Sequence, residues 1–240
     1  MRGGMNRVAA ICWKEWRTVV DTPLGYVVAI AFLLASGFFF ASNLFLIGQA
    51  DMRGYFAVMP LLLMFFIPAM SMRALADEQR SGTFELMATM PIRTIDIVTG
   101  KFLALMLQIS LLVLMTLFYP LTLSLIGNLD SGQIAAAYLA MLLLAGCYIA
   151  ICLYASAVTD HAVVAYVVGF GILLALFLLM QTLPTLSPNL QDLLTNLTPL
   201  SHYQSMLRGV ISLGDLVSLL AVTVLFLTLT WFQLERRRWR

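Results

Sequence analysis

The stretch Thr22–Ala50, TPLGYVVAIAFLLASGFFFASNLFLIGQA, is bracketed by Asp21 and Asp51 and contains no Asp, Glu, Lys, Arg or His. Its apolar heart, Leu24–Ile47, exceeds the roughly 20 residues that a helix needs to cross the hydrocarbon of a bilayer. Lipid offers no partner for an unpaired backbone group, so a segment of this kind is expected to be an α-helix. About twenty residues carrying Arg2, Arg7, Lys14, Glu15, Arg17 and Asp21 precede it. That leader is too charged, and the apolar run too long, for a cleaved signal peptide, so the start reads as a retained anchor.

The same test, applied outward along the chain, finds uncharged intervals at Gly54–Met72, Phe102–Leu129, Ser131–Thr159, Ala162–Gln191 and Leu216–Leu234. Six spans are predicted, at 24–47, 54–73, 97–126, 132–158, 162–182 and 214–234. Of 240 residues 61% are hydrophobic and only 11% charged, with a mean hydropathy of +0.93. A water-soluble domain carries about a quarter charged residues, and this composition in water would leave a large apolar surface bare. The fold class is therefore an all-α integral membrane protein, a single transmembrane domain over 1–240.

Lys and Arg fall unevenly on the two sides that six spans define. One side takes Arg2, Arg7, Lys14 and Arg17, then Arg73, Arg80, Arg93 and Lys101, then Arg236, Arg237, Arg238 and Arg240; the other takes Arg53 and Arg208. Twelve against two places both termini in the cytoplasm, and dropping a span would destroy the partition.

Several functions are disfavoured. A net charge of +2 with two lysines gives no footprint for nucleic acid. The spans lack the buried carboxylates, histidines or metal-ligand sets that ion-coupled transport, intramembrane hydrolysis or haem ligation would require. No catalytic residue, metal site or cofactor is assigned to this chain. Its one Gly-Lys pair, Gly100-Lys101, lacks the glycines of a phosphate cradle, so the chain alone binds no nucleotide. Cys12, Cys147 and Cys152 read as small hydrophobes, and the sequon Asn196-Leu197-Thr198 as a chance match. His161, beside Asp160, reads as a solvated turn residue.

Residues 5–21 place Val8, Ile11, Cys12, Trp16 and Val19 on one arc of a helix, opposite Arg7, Lys14, Arg17 and Asp21. This helix is expected to lie in the membrane interface, either as a topogenic anchor or as a grip on a cytoplasmic partner; Glu15 sits at the edge of the apolar arc. The longest cytoplasmic connection, about Arg73 to Lys101, is expected to hold a short helix within 77–91. Ser81 or Thr83 would cap it, Glu85 would suit its first turn, and Pro91 would end it. A new helix is expected to start at Thr94 with Asp96 in its first turn. Phe84, Leu86, Met87 and Met90 make the loop helix too apolar for water, so it needs a partner surface or the bilayer. The external connection, 183–213, with Pro184, Pro188 and Pro199 and little charge, suits short re-entrant or interfacial helices. Pro60 and Pro68 interrupt the hydrogen-bond ladder of span two.

The run Asp77-Glu-Gln-Arg-Ser-Gly-Thr-Phe-Glu-Leu-Met-Ala-Thr-Met-Pro91, with Ile97-Val-Thr-Gly-Lys-Phe102, resembles the permeases of ABC-2 type ABC transporters. Trp13-Lys-Glu-Trp-Arg17 with Thr22-Pro-Leu-Gly-Tyr26, and Thr198-Pro-Leu-Ser-His-Tyr203 with Arg208-Gly-Val-Ile211 and Leu234-Glu-Arg-Arg-Arg-Trp-Arg240, are similar to the gliding-motility (GldF-like) branch. A permease associated with nitrous-oxide reductase maturation shares the plan and similar loop residues. The resemblance implies an ABC-2 (type V exporter) permease fold in a bacterial inner membrane, with ATP and magnesium held by a separate ABC ATPase subunit in two copies. It further implies a second permease subunit, identical or paralogous, with spans two and five at their interface, contact with membrane lipid, and room for a periplasmic auxiliary protein. On this likeness 77–91 is a coupling helix seated in the ATPase. Glu78, Arg80, Gly82, Thr83, Glu85 and Pro91 are its candidate contacts, Phe84, Leu86 and Met87 fill the apolar cleft, and Glu15 and Arg17 assist. Residues 183–213 become an outer gate, with Pro184, Pro188, Pro199, His202 and Arg208 as candidates. The function implied is ATP-driven movement of a substrate across or within the membrane; the alternative is a membrane scaffold or assembly factor that relays ATPase motion without transport.

Overall fold

The computed structural model describes residues 2–47, 52–81, 93–125, 130–182, 195 and 198–238. Among them the chain is helical: α1 (Arg2–Asp21), α2 (Pro23–Ile47), α3 (Arg53–Ser71), α4 (Arg73–Arg80), α5 (Thr94–Thr116), α6 (Phe118–Ser124), α7 (Ser131–Val158), α8 (Ala162–Thr182), α9 (Pro199–Met206) and α10 (Leu213–Arg238). Six stretches are long and apolar enough to cross a membrane: Gly25–Asn43, Arg53–Arg80, Thr94–Ser124, Ser131–Val158, Ala162–Thr182 and Leu213–Arg237. This is an all-α, multi-pass membrane protein.

Helix α7 is the centre. It packs against α3, α4, α5, α8, α9 and α10, and most of its length is buried. Ala136, Ala137, Ala140, Ala145, Ala150, Ala155 and Ala157 lie along it at no more than 2% exposure. Helices in lipid gain nothing from a hydrophobic effect between them, so small side chains that let backbones approach are the efficient packing surface. α2, α8 and α10 form the periphery, where residues such as Leu34, Phe38, Val163, Val167 and Phe232 are exposed and suited to acyl chains.

Spans two and three are each built from two helices, and the interruptions have identifiable causes. Pro60 has no N–H for the carbonyl of Phe56, and the Tyr203 hydroxyl of α9 donates to that oxygen at 2.7 Å. Pro120 likewise leaves the Thr116 carbonyl, which accepts from the Tyr138 hydroxyl of α7 at 3.0 Å. At the α3–α4 junction the Ser156 hydroxyl of α7 enters the ladder. It accepts from the Leu75 and Ala76 amides at 3.1 and 3.0 Å and donates to the Met72 carbonyl at 3.1 Å. In each case a hydroxyl from a neighbouring helix satisfies backbone that lipid cannot.

The charges from Arg73 to Arg80 read from sequence as the start of a loop; the structure keeps them helical. Leu75 and Ala76 are buried against α7, and the Ser156 contacts hold that turn. Residues 77–80 therefore close the span-two helix instead of opening a separate one. The rest of the expected loop helix, 82–91, lies outside the described residues. The restart at Thr94, with Asp96 in the first turn, is as expected.

Candidate functional site

The charged ends of α1, α4, α5 and α10 converge at one end of the bundle. Lys101, two turns into α5, is only 2% exposed. Its ammonium donates to Glu15 Oε1 of α1 and pairs with Glu78 Oε1 of α4, each at 2.9 Å. Burying an ammonium is tolerable only when carboxylates replace its water, and one lysine here joins three helices. Gly100 makes this possible: a Cβ at that position would lie 2.8 Å from Ile11 Cγ2 and 2.9 Å from its Cβ, so the glycine lets α1 close on α5. The Gly-Lys pair that resembles a fragment of a phosphate cradle is thus a helix-packing device.

The opposite side of α4 is held as firmly. Gln79 Nε2 donates to the Ala157 carbonyl at 3.1 Å, and Gln79 Oε1 accepts from Arg237 of α10 at 2.7 Å. Arg237 also donates to Asp160 Oδ1 at 2.6 Å and to the Val158 carbonyl at 2.8 Å, closing on the α7–α8 turn. Thr94 donates to Glu235 at 2.6 Å and fastens the start of α5 to the end of α10. α4, which leads straight into residues 82–92, is gripped by α1 and α5 on one side and by α7 and α10 on the other.

Of the residues singled out from sequence, Glu15 and Glu78 meet on Lys101. Arg80 is exposed at the tip of α4, and Arg17 is exposed with its guanidinium 5.2 Å from the Trp13 ring centroid. Gly82, Thr83, Phe84, Glu85, Leu86, Met87 and Pro91 lie outside the described residues. Sequence reasoning missed Lys101, Gln79, Ser156 and Arg237. Arg237 was counted only as a topogenic charge, and Lys101 as a topogenic charge and a member of the Gly-Lys pair and the Ile97–Phe102 motif, with no partner assigned to either.

The other end carries α9. Pro199 opens it at a position where a missing amide does no harm. His202 Nδ1 lies 2.7 Å from Asp215 Oδ1 at the start of α10. Burial holds the Tyr203 hydroxyl protonated, well above the ordinary tyrosine value, and it is this group that binds Phe56. Arg208 and Arg53, the two cations the charge partition sets apart, line one cavity there with Gln133, Gln181 and Gln204. Gly209, at φ +85°, turns the chain beside Gln133, whose amide donates to the Leu207 carbonyl at 3.0 Å. Pro184 and Pro188 lie outside the described residues.

Residues 9–239 match the family model described as ABC-2 family transporter protein. The chain belongs to the ABC-2 transporter family. It is a membrane component of that family and not itself the catalytic part. Among curated proteins none matches it significantly. ABC-2 permeases typically work with an ABC ATPase.

Proposed function

We propose that this ABC-2 chain is the permease subunit that receives the stroke of a separate, ATP- and magnesium-binding ABC ATPase through residues 77–91 and converts it into opening between two membrane halves. The observation that supports this most is the four-sided grip on α4. A displacement applied to the segment that follows Arg80 is carried into α1 and α5 through Lys101 and into α7 and α10 through Gln79, Ser156 and Arg237. Arg80, Gly82, Thr83, Glu85 and Pro91 are the proposed polar contacts and turn positions, with Phe84, Leu86 and Met87 in an apolar cleft and Arg17 beside them. Glu15 and Glu78 act one step behind, as the residues that join α1 and α4 to α5.

The twelve-to-two charge partition supports cytoplasmic termini in a bacterial inner membrane, with 183–213 as an outer gate around Pro184, Pro188, Pro199, His202 and Arg208. Two ATPase copies and a second permease, identical or paralogous, complete the assembly, and the terminal motifs favour the gliding-motility branch. The test is affinity purification in mild detergent from the native host, followed by mass spectrometry and ATPase assay. A nucleotide-binding subunit is expected to co-purify, and Glu85→Lys or Arg80→Glu is expected to release it or to uncouple hydrolysis from substrate movement. A preparation with no ATPase, or unchanged coupling in both variants, overturns the proposal.

A further inference from the structure

A cavity of about 480 Å³ lies at the end of the bundle opposite the Lys101 cluster, among α3, α7, α8 and α9. Ligand sites commonly fall between about 300 and 1,000 Å³. Its polar residues stand at helix ends and its apolar ones deeper. Arg53 opens α3, Gln133 lies in the first turn of α7, and Gln181 is the last residue but one of α8. One and two turns further in, α3 presents Ala57 and Pro60, and α8 presents Phe177 one turn in from Gln181. Leu200 of α9 adds to this floor and is buried, and the hydroxyl of Tyr203 is spent on the Phe56 carbonyl. A polar rim over an apolar floor, at the end of a bundle that crosses a membrane, suits an amphiphile whose head lies at the surface of one leaflet; basic pockets between such helices are lipid head-group sites.

The rim specifies the head. Two guanidinia, Arg53 and Arg208, line the cavity, and its described lining holds no Asp or Glu. The elements that carry them are fixed to one another. Tyr203 ties α9 to α3, and the turn after α9, with Gly209 at φ +85°, is held to α7 by the Gln133 amide on the Leu207 carbonyl at 3.0 Å. The Arg208 guanidinium is exposed and has no partner among the described residues. A carboxylate saturates one guanidinium fork, whereas a phosphate can be shared by two. With no carboxylate in the described lining, the ammonium of a zwitterionic head group would meet two cations and no counter-charge. The carboxamides of Gln133, Gln181 and Gln204 offer donors and acceptors that suit hydroxyl groups.

We propose that this cavity binds an anionic phospholipid with a hydroxylated head, of the phosphatidylglycerol class, its phosphate between Arg53 and Arg208 and its glycerol hydroxyls on the glutamine carboxamides. The lipid then braces the turn after α9 against the start of α3. The inference stands apart from the ATPase reading, because it is measured on this chain alone.

The experiment is native mass spectrometry of the full chain in detergent, titrated with phosphatidylglycerol, phosphatidylethanolamine and phosphatidylcholine of identical acyl chains, and with soluble glycerol phosphate as competitor. Phosphatidylglycerol is expected to be retained about tenfold better than either zwitterionic lipid, the worth of one hydrogen bond to a charged group. Glycerol phosphate at the same concentration is expected not to displace it. Arg208→Gln should abolish the preference, whereas Arg80→Gln, at the arginine-rich end, should leave it unchanged. Ala57→Trp, which fills the apolar floor without touching a charge, should weaken retention of phosphatidylglycerol. Equal retention of the three lipids, displacement by glycerol phosphate, occupancy by detergent only, a preference that survives Arg208→Gln, or one lost equally in Arg80→Gln overturns the proposal. Should Ala57→Trp fail to fold, Arg208→Gln decides it, since that guanidinium has no partner to lose among the described residues.

Discussion

Lys101→Met keeps the apolar stem of the side chain and deletes the ammonium that joins α1, α4 and α5. Two carboxylates are then left facing each other without a cation. Removing one member of a buried ion pair costs about 3–5 kcal/mol, most of it the uncompensated charge that stays behind. Glu15 and Glu78 keep 21% and 15% of their side chains accessible, so water recovers part of that loss. The lower end, about 3 kcal/mol, is the expected penalty. For a chain of this length that corresponds to about 6–12 °C in apparent melting temperature, followed by size-exclusion of detergent-solubilised protein after a heating series. The triple variant Lys101→Met, Glu15→Gln, Glu78→Gln removes the stranded charges together with the lysine and is expected to recover at least half of the loss. Single variants at Glu15 and Glu78 complete the cycle, and their penalties should sum to more than the pair costs together. A Lys101→Met protein as stable as the parent, or a triple variant no better than the single one, would refute the view that this lysine fastens the three helices.

Gly100→Ala pushes a Cβ into Ile11 and is expected to cost about 1–3 kcal/mol and to loosen α1, read as faster proteolysis of the N-terminal segment; Ile11→Ala should relieve it. Ser156→Ala leaves the buried amides of Leu75 and Ala76 without an acceptor and is expected to lower stability by about 2 kcal/mol, measured by the same heating series. Tyr203→Phe withdraws the donor from the Phe56 carbonyl and is expected to cost about 1–2 kcal/mol. The same change in a Pro60→Ala background, where residue 60 regains an amide, should cost measurably less. The Cys12 thiol is held above its ordinary value by burial and secondarily by Glu15. Maleimide labelling should therefore be slower than at a free surface thiol, should accelerate as pH rises toward 9, and should occur from the cytoplasmic side in sealed vesicles.

The spans were legible because their signal is local: an interval without charge, long enough to cross lipid, needs no knowledge of its neighbours. Thr94 as a start, with Asp96 in the first turn, was legible for the same reason. What sequence could not give was any tie between residues far apart along the chain. Glu15 and Lys101 are 86 residues apart and Gln79 and Arg237 are 158 apart, and nothing near either partner marks the other. Asp77-Glu-Gln-Arg80 read as the opening of a separate helix, 77–91, in the cytoplasmic connection. They close the span-two helix instead because Glu78 is neutralised by Lys101 and Gln79 is occupied by Arg237 and Ala157. Glu78 and Arg80 were singled out as contacts of the coupling helix and Glu15 and Arg17 as assisting them, yet Glu15 and Glu78 turn inward to a lysine while Arg17 and Arg80 are exposed.

Depth in the membrane decides which chemistry fastens one helix to another. At the end that carries α1 and the arginines, water and head groups lower the penalty for charge, and the ties are ionic: Lys101 with Glu15 and Glu78, Arg237 with Asp160. Deeper in the bundle the ties are neutral hydroxyls, and each serves a carbonyl or amide released by an interruption in a span: Tyr138 at Pro120 and Ser156 at the α3–α4 junction. A proline inside a span is normally read as a hinge. Here Pro60 frees one carbonyl, and the chain gives that carbonyl to Tyr203 of α9. The interruption thereby becomes the attachment point between span two and the short helix of the proposed gate. Because α4 is clamped at the other end of the same rod, a change in its tilt would load the Tyr203–Phe56 bond directly. The hydroxyl at position 203 is then the place where a stroke received at one end of span two would be felt at the other.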